Sequence, residues 1–88
     1  MNADIFHKQE DGLARNVIAV VARELGVEPD VLSLEIGIGD IPEWDSVANL
    51  ALLFAIEQAF NIVLDMDDML RIETVEDIVD VVGNRLGP

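Results

Sequence analysis

Ile41-Pro42-Glu43-Trp44-Asp45-Ser46-Val47, running directly into the apolar stretch Ala48 to Phe60, is the segment on which the fold turns. Proline disfavours helix in the residue before it and is tolerated outside a helix or in its first turn, so Pro42 closes a loop. Asp45 and Ser46 are both good N-cap residues, because a short side-chain oxygen accepts from first-turn amides that lack an intrahelical partner. A helix is therefore predicted from about Ser46 to Phe60, and either cap sets the Ser46 hydroxyl at its positive end. Ser46 is the leading candidate for function.

Within that helix, Leu52, Leu53, Ile56 and Phe60 form one apolar stripe, and Val47, Leu50, Ala51 and Phe54 form a second beside it. A helix apolar on nearly every side either lies at the centre of a bundle or shows one face to a partner. A small domain rarely buries a helix completely, so part of the second stripe should stay accessible.

Upstream, Leu13, Val17, Val20, Val21 and Leu25 recur at helical spacing, and Gly26 with Pro29 beyond it marks the end of that first helix. Residues 1–12 read as a flexible or partly helical lead, because Gly12 weakens a continuous helix, and His7 within it reads as solvated. The long connection from Val27 to Trp44 carries Val31, Leu32, Leu34, Ile36, Ile38 and Ile41, enough apolar side chains to fold over one end of a bundle. Gly37, Gly39 and Pro42 interrupt any strand alternation there, and no second strand is evident. A packed loop is predicted, with one helical turn near Asp30 to Ser33.

Downstream, Asn61 to Leu64 reads as a turn with apolar plugs, and Asp65 to Leu70 as a short helix with acids in its first turn. Thr74 with Asp77 three residues on is a capping box opening the last helix, whose stripe is Val75, Ile78, Val79, Val82 and Leu86. The predicted fold class is all-α: a small four-helix bundle of three longer helices and one short one, with a long loop between helices 1 and 2. A single domain spans 13–86.

Composition narrows the partners. Five basic residues stand against 18 acidic ones in 88, a net charge of −13. Nucleic acid is excluded as a partner, since basic groups must neutralise phosphates, and basic docking surfaces are favoured. Without cysteine there are neither disulfides nor thiolate metal sites. No basic segment followed by an apolar one opens the chain, and Asn49 and Glu57 break the longest apolar run short of a membrane span. A monomeric cytoplasmic protein is expected, without a membrane partner.

Catalysis by the chain itself is not expected. Its hydroxyl side chains are Ser33, Ser46 and Thr74, there is no tyrosine, and His7 is badly placed for a serine triad. The acids from Asp65 to Glu76 partly mimic a calcium loop, but Met69 and Leu70 occupy positions five and six, so no metal site is assigned. Ser46 then reads as a hydroxyl that is modified. A helix N-terminus suits a phosphodiester, and Asp45 beside it could help hold a divalent cation during delivery. On these grounds alone an ordinary cap accounts for Asp-Ser equally well.

Asp45-Ser46-Val47, Leu52-Leu53, Ile56-Glu57, Phe60-Asn61-Ile62 and Thr74-Val75-Glu76-Asp77-Ile78-Val79 together resemble the acyl carrier protein family over about residues 13 to 86. The resemblance implies that Ser46 carries 4′-phosphopantetheine, installed from coenzyme A by a phosphopantetheinyl transferase, with Asp45 as the motif acid. Its terminal thiol would hold acyl or aminoacyl thioesters. Partners would be a loading ligase and a downstream synthase or transferase, docking on Val47, Leu50, Ala51, Phe54, Glu57, Asp67 and Asp68. Val47 replaces the more usual leucine, and the second helix is far less acidic than in many fatty-acid carriers. With Trp44 before the motif, the chain looks like a stand-alone carrier of a specialised pathway. The alternative is an unmodified acidic helical interaction module.

Overall fold

The computed structural model describes the backbone of residues 2–87 and the side chains of residues 12–87. Among the described residues four helices follow one another: α1 (Asn2–Leu25), α2 (Ser46–Phe60), α3 (Met66–Arg71) and α4 (Val75–Leu86), with a 3-10 turn at Pro29–Val31. The all-α class, the short third helix and the long α1–α2 loop are as expected. Helix α1 begins well before Leu13, so its backbone continues through Gly12 and over the polar lead. The side chains of Ile5, Phe6 and His7 lie outside the described residues.

Helix α1 packs against both α2 and α4. Val17, Val21 and Ala22 of α1 meet Leu52, Leu53 and Ile56 of α2 and Val75, Ile78, Val81 and Val82 of α4 in a single core. Leu32, Trp44, Leu64 and Ile72, from the connecting segments, complete it. In α4 the buried stripe takes in Val81, whereas Leu86 is exposed, because the last turn runs past the core. Of the turn plugs after α2, Leu64 is buried while Val63 faces solvent.

Local chemistry brackets each helix. Gly26 adopts φ +73°, the left-handed conformation that ends α1 at no steric cost, and the Val27 N–H reaches back to the Ala22 carbonyl at 3.0 Å. Asn61 does the same for α2 at φ 53°, being among the few non-glycine residues that tolerate that region. The capping box of Thr74 and Asp77 is present as read.

The loop between α1 and α2 is more tightly specified than its composition suggests. Gly37 forms an isolated antiparallel bridge with Thr74, so the Ile36–Ile38 alternation does find a partner, in the segment that leads into α4. The Ile38 N–H donates to the Glu73 carbonyl at 3.0 Å, and the Val75 and Glu76 amides donate to the Ile36 and Leu34 carbonyls at 2.9 and 3.0 Å. Those two amides are first-turn donors of α4 with no intrahelical acceptor, so the loop supplies what the helix lacks. Within the loop Leu32 is buried and Ile36 and Ile41 half-buried, whereas Val31, Leu34 and Ile38 keep substantial exposure. The backbones approach so closely that a Cβ on buried Gly37 would collide with the Glu73 carbonyl.

Gly37→Ala is therefore expected to lower the unfolding free energy by about 1–3 kcal/mol, the usual cost of forcing an extra carbon into a packed site. A urea titration should show a lower midpoint at unchanged slope.

Candidate functional site

Asp45 is the N-cap of α2: its Oδ1 accepts from the Ala48 N–H at 2.8 Å. Ser46 is thereby the first residue inside the helix, its side chain exposed and outside the capping bond. At α4 the first two amides are taken by loop carbonyls; at α2 no loop carbonyl or side chain among the described residues takes the Ser46 or Val47 amide. The α2 N-terminus presents a solvent-facing hydroxyl beside unspent amide donors, a setting that favours an added phosphate.

Four apolar residues of α2 also face solvent. Val47 is 77% exposed, Leu50 61% and Phe54 63%, with Ala51 exposed among them. At 100° per residue these four occupy the face opposite Leu52, Leu53 and Ile56, which are buried. Core packing of Phe54 is thus excluded.

The acids expected at a partner surface divide differently. Asp67 is exposed. Glu57 is turned inward, its Oε2 accepting from the Leu64 N–H at 2.8 Å and closing the turn after α2. Asp68 is only 8% exposed, and a free rim charge is not what the structure makes of it. It completes a capping box with Asp65 at the start of α3 and pairs with Arg85, whose Nε donates to its Oδ2 at 3.0 Å. The Arg85 Nη2 donates also to Asp65 at 2.9 Å, so one of the chain's five basic residues ties the start of α3 to the end of α4. The sequence reading missed this tie because residues 17 and 20 positions apart show no periodicity that links them.

It also missed what Trp44 and Asn49 do. Trp44 is fully buried, and its indole N–H donates to Asn49 Oδ1 at 2.9 Å. Asn49 lies three, four and seven residues before Leu52, Leu53 and Ile56, on the stripe that faces the core. A polar residue at that register needs a partner, and the single tryptophan of the chain, five residues back, is the signal that could have found it.

The site is thus an exposed serine that a long first loop delivers to the start of a half-exposed helix in an all-helical bundle. Comparison with known proteins makes the family specific. Residues 15–82 match the family described as "Phosphopantetheine attachment site". The chain is 31% identical over 64 residues to an acyl carrier protein of Syntrophobacter fumaroxidans, covering 73% of this chain and 79% of that one. It is 26% identical over 74 residues to an acyl carrier protein of Thermosynechococcus vestitus, covering 84% of this chain and 91% of that one. It is 35% identical over 71 residues to the non-reducing polyketide synthase tazA of Aspergillus terreus, covering 81% of this chain but spanning only 3% of that synthase. The chain belongs to the phosphopantetheine-binding acyl carrier protein family. Domains of this family carry covalently attached 4′-phosphopantetheine and are carriers, not catalysts. The exposed Ser46 hydroxyl, left out of the cap, fits that group. No helix among the described residues is long and apolar enough to cross a membrane.

At α3, the Asp65 carboxyl is held below its ordinary value of 3.8, first by the Asp68 backbone N–H and then by Arg85. Arg85 is raised further by Asp68 and Asp65 and stays charged at any acidic or neutral pH. The carboxylate therefore sets the window. Its contribution is present above the unfolded carboxyl value of about 3.9 and is lost as pH falls through the lower folded value. Asp65→Asn keeps a capping oxygen but cannot ionise. Its melting temperature is expected to fall less than that of the wild type between pH 5 and pH 2.

Proposed function

We propose that Ser46 is the residue that receives 4′-phosphopantetheine, and that the chain carries acyl or aminoacyl groups in a specialised biosynthetic pathway. The observation that carries the reading is the division of labour at the α2 N-terminus, where Asp45 makes the cap and Ser46 keeps an exposed hydroxyl. Ser33 lies in the loop, donates to Glu35 and has no helix start beneath it. In the modification Ser46 Oγ bonds to the phosphorus that bears pantetheine in coenzyme A. The phosphoanhydride bond breaks, adenosine 3′,5′-bisphosphate leaves, and the hydroxyl proton passes to a base of the transferase. Asp45, exposed beside Ser46, can share the divalent cation that screens the phosphates. When attached, the group supplies a thiol that holds acyl or aminoacyl groups as thioesters.

A phosphopantetheinyl transferase, a loading ligase and a downstream synthase or transferase are the partners this reading requires. The face of Val47, Leu50, Ala51 and Phe54 supports docking by apolar burial, and Asp67 of α3 is exposed and free to add a charge. Glu57 and Asp68 leave the proposed contact set, since the backbone and Arg85 occupy them. A sparsely acidic α2 supports a dedicated partner set over the strongly charged docking of a general fatty-acid carrier. Similarity to a segment of a polyketide synthase supports specialised biosynthesis as the setting. The cytoplasm is the proposed location.

Incubation with coenzyme A, magnesium and a broad-specificity phosphopantetheinyl transferase should add one phosphopantetheine to the wild type and to Ser33→Ala, and none to Ser46→Ala, as read by intact mass. Loading of Ser46→Ala would sink the assignment, and a wild type that stays unmodified would favour the unmodified interaction module. Phe54→Ala should leave stability within about 0.5 kcal/mol, as exposed substitutions usually do. The same variant should slow loading by about fivefold or more, in line with losses above 1 kcal/mol at interface anchors. Asp67→Asn should mainly reduce the salt dependence of the association rate.

A further inference from the structure

The Trp44–Asn49 pair spans the helix start: Trp44 lies two residues before Ser46 and Asn49 three after it. The indole N–H to Asn49 Oδ1 bond of 2.9 Å joins them across Asp45 and Ser46, and the Asp45 to Ala48 cap of 2.8 Å closes a second, smaller loop within the first. Behind the indole the chain is fixed as well. The Gly39 N–H donates to the Trp44 carbonyl at 2.8 Å, and the Trp44 N–H donates to the Ile41 carbonyl at 3.1 Å.

Burial alone does not call for this pair. Replacing both partners of a buried hydrogen bond by apolar groups of similar shape is often close to neutral, so an apolar pair at 44 and 49 would serve packing as well. A hydrogen bond adds direction. It fixes the rotation of a large ring whose backbone leads within one residue to Asp45-Ser46, and fixes it to the core-facing stripe of the same helix that carries the serine.

We infer that Trp44 and Asn49 are positioning residues that hold the Ser46 hydroxyl in the geometry a phosphopantetheinyl transferase requires. This rests on the reading of Ser46 as the attachment residue. Neither residue touches the incoming group. Both act through the backbone of Asp45 and Ser46, whereas Val47, Leu50 and Phe54 offer the transferase its docking face. Loss of the pair should therefore reduce kcat while leaving KM nearly unchanged, because docking survives and reactive geometry does not.

The test uses the full chain, coenzyme A, magnesium and a broad-specificity phosphopantetheinyl transferase, well below the melting temperature of every variant. Asn49→Leu keeps the branched shape and removes the acceptor; it should lower kcat for loading by about tenfold, since small misplacements of a reacting group are costly. Its KM should stay within about twofold of the wild type by the same argument. Asn49→Asp keeps the acceptor oxygen and should restore kcat. The double variant Trp44→Phe with Asn49→Leu leaves no buried polar group unpaired. It should regain stability over Asn49→Leu and still load slowly, which a purely structural role would not produce. A double variant that regains both, or a folded Asn49→Leu that loads with the wild-type kcat, overturns the inference. Should Asn49→Leu not fold, the wild type decides. Its one indole N–H should exchange slowly with deuterium by NMR, and exchange as fast as a solvated indole overturns the inference too. A wild type that is never loaded defeats the Ser46 reading itself; normal loading of both wild type and Asn49→Leu defeats only the positioning role.

Discussion

The burial of Trp44 is the constraint around which the other parts arrange themselves. It is the largest of the fully buried side chains, and it sits where the long loop ends and α2 begins. An indole inside a core must satisfy its N–H, and Asn49 does so from the core-facing stripe of α2. The loop must then turn at Gly39 and Ile41 to bring the ring in, and it pays its own backbone hydrogen bonds forward by pairing with residues 73–76. One aromatic ring thus joins the end of the loop to the core-facing stripe of α2.

The charge of the chain looks different once its acids are placed. A net −13 suggests a surface that repels itself and attracts any basic partner. Several of the acids are instead structural. Asp45, Asp65 and Asp77 accept from amides at helix starts, Glu57 closes a turn, and Asp68 shares Arg85 with Asp65. Free amide donors at a helix N-terminus make such positions favourable for carboxylates, so Asp45, Asp65 and Asp77 serve the folding of the helices they open. What remains outward on α2 is an apolar face, and that shifts the expected mode of recognition from long-range charge toward burial.

The tie from Arg85 to Asp65 and Asp68 has a related consequence. Helix α3 is six residues long, too short to be stable by its own hydrogen bonds. Its capping box, the buried Ile72 that follows it and the Arg85 bridge to α4 together hold it in place. Met66 and Leu70 are left exposed on the same short element, so the tether holds an element whose apolar side chains are only partly used.

Periodicity and end signals were enough to read α2 and α4, the end of α1, both glycine and threonine boundary features, and Ser46 at a positive helix end. These are local properties: spacing of apolar residues along 3.6-residue turns and side chains that reach amides three residues away. The two apolar stripes of α2 were also visible, and part of the Val47, Leu50, Ala51 and Phe54 stripe was expected to stay accessible, but how completely that stripe would face solvent was not legible, because either face satisfies the same pattern. Tertiary packing decided it by placing α1 and Trp44 on the side of Leu52, Leu53 and Ile56. The roles of Glu57, Asp68 and Arg85 were likewise beyond reach, since an exposed acid and a capping acid have the same sequence signature. The pairing of Gly37 with Thr74 depends on two backbones meeting 37 positions apart. Local chemistry set where the helices begin and end; only the assembled core set which side chains were left to face a partner.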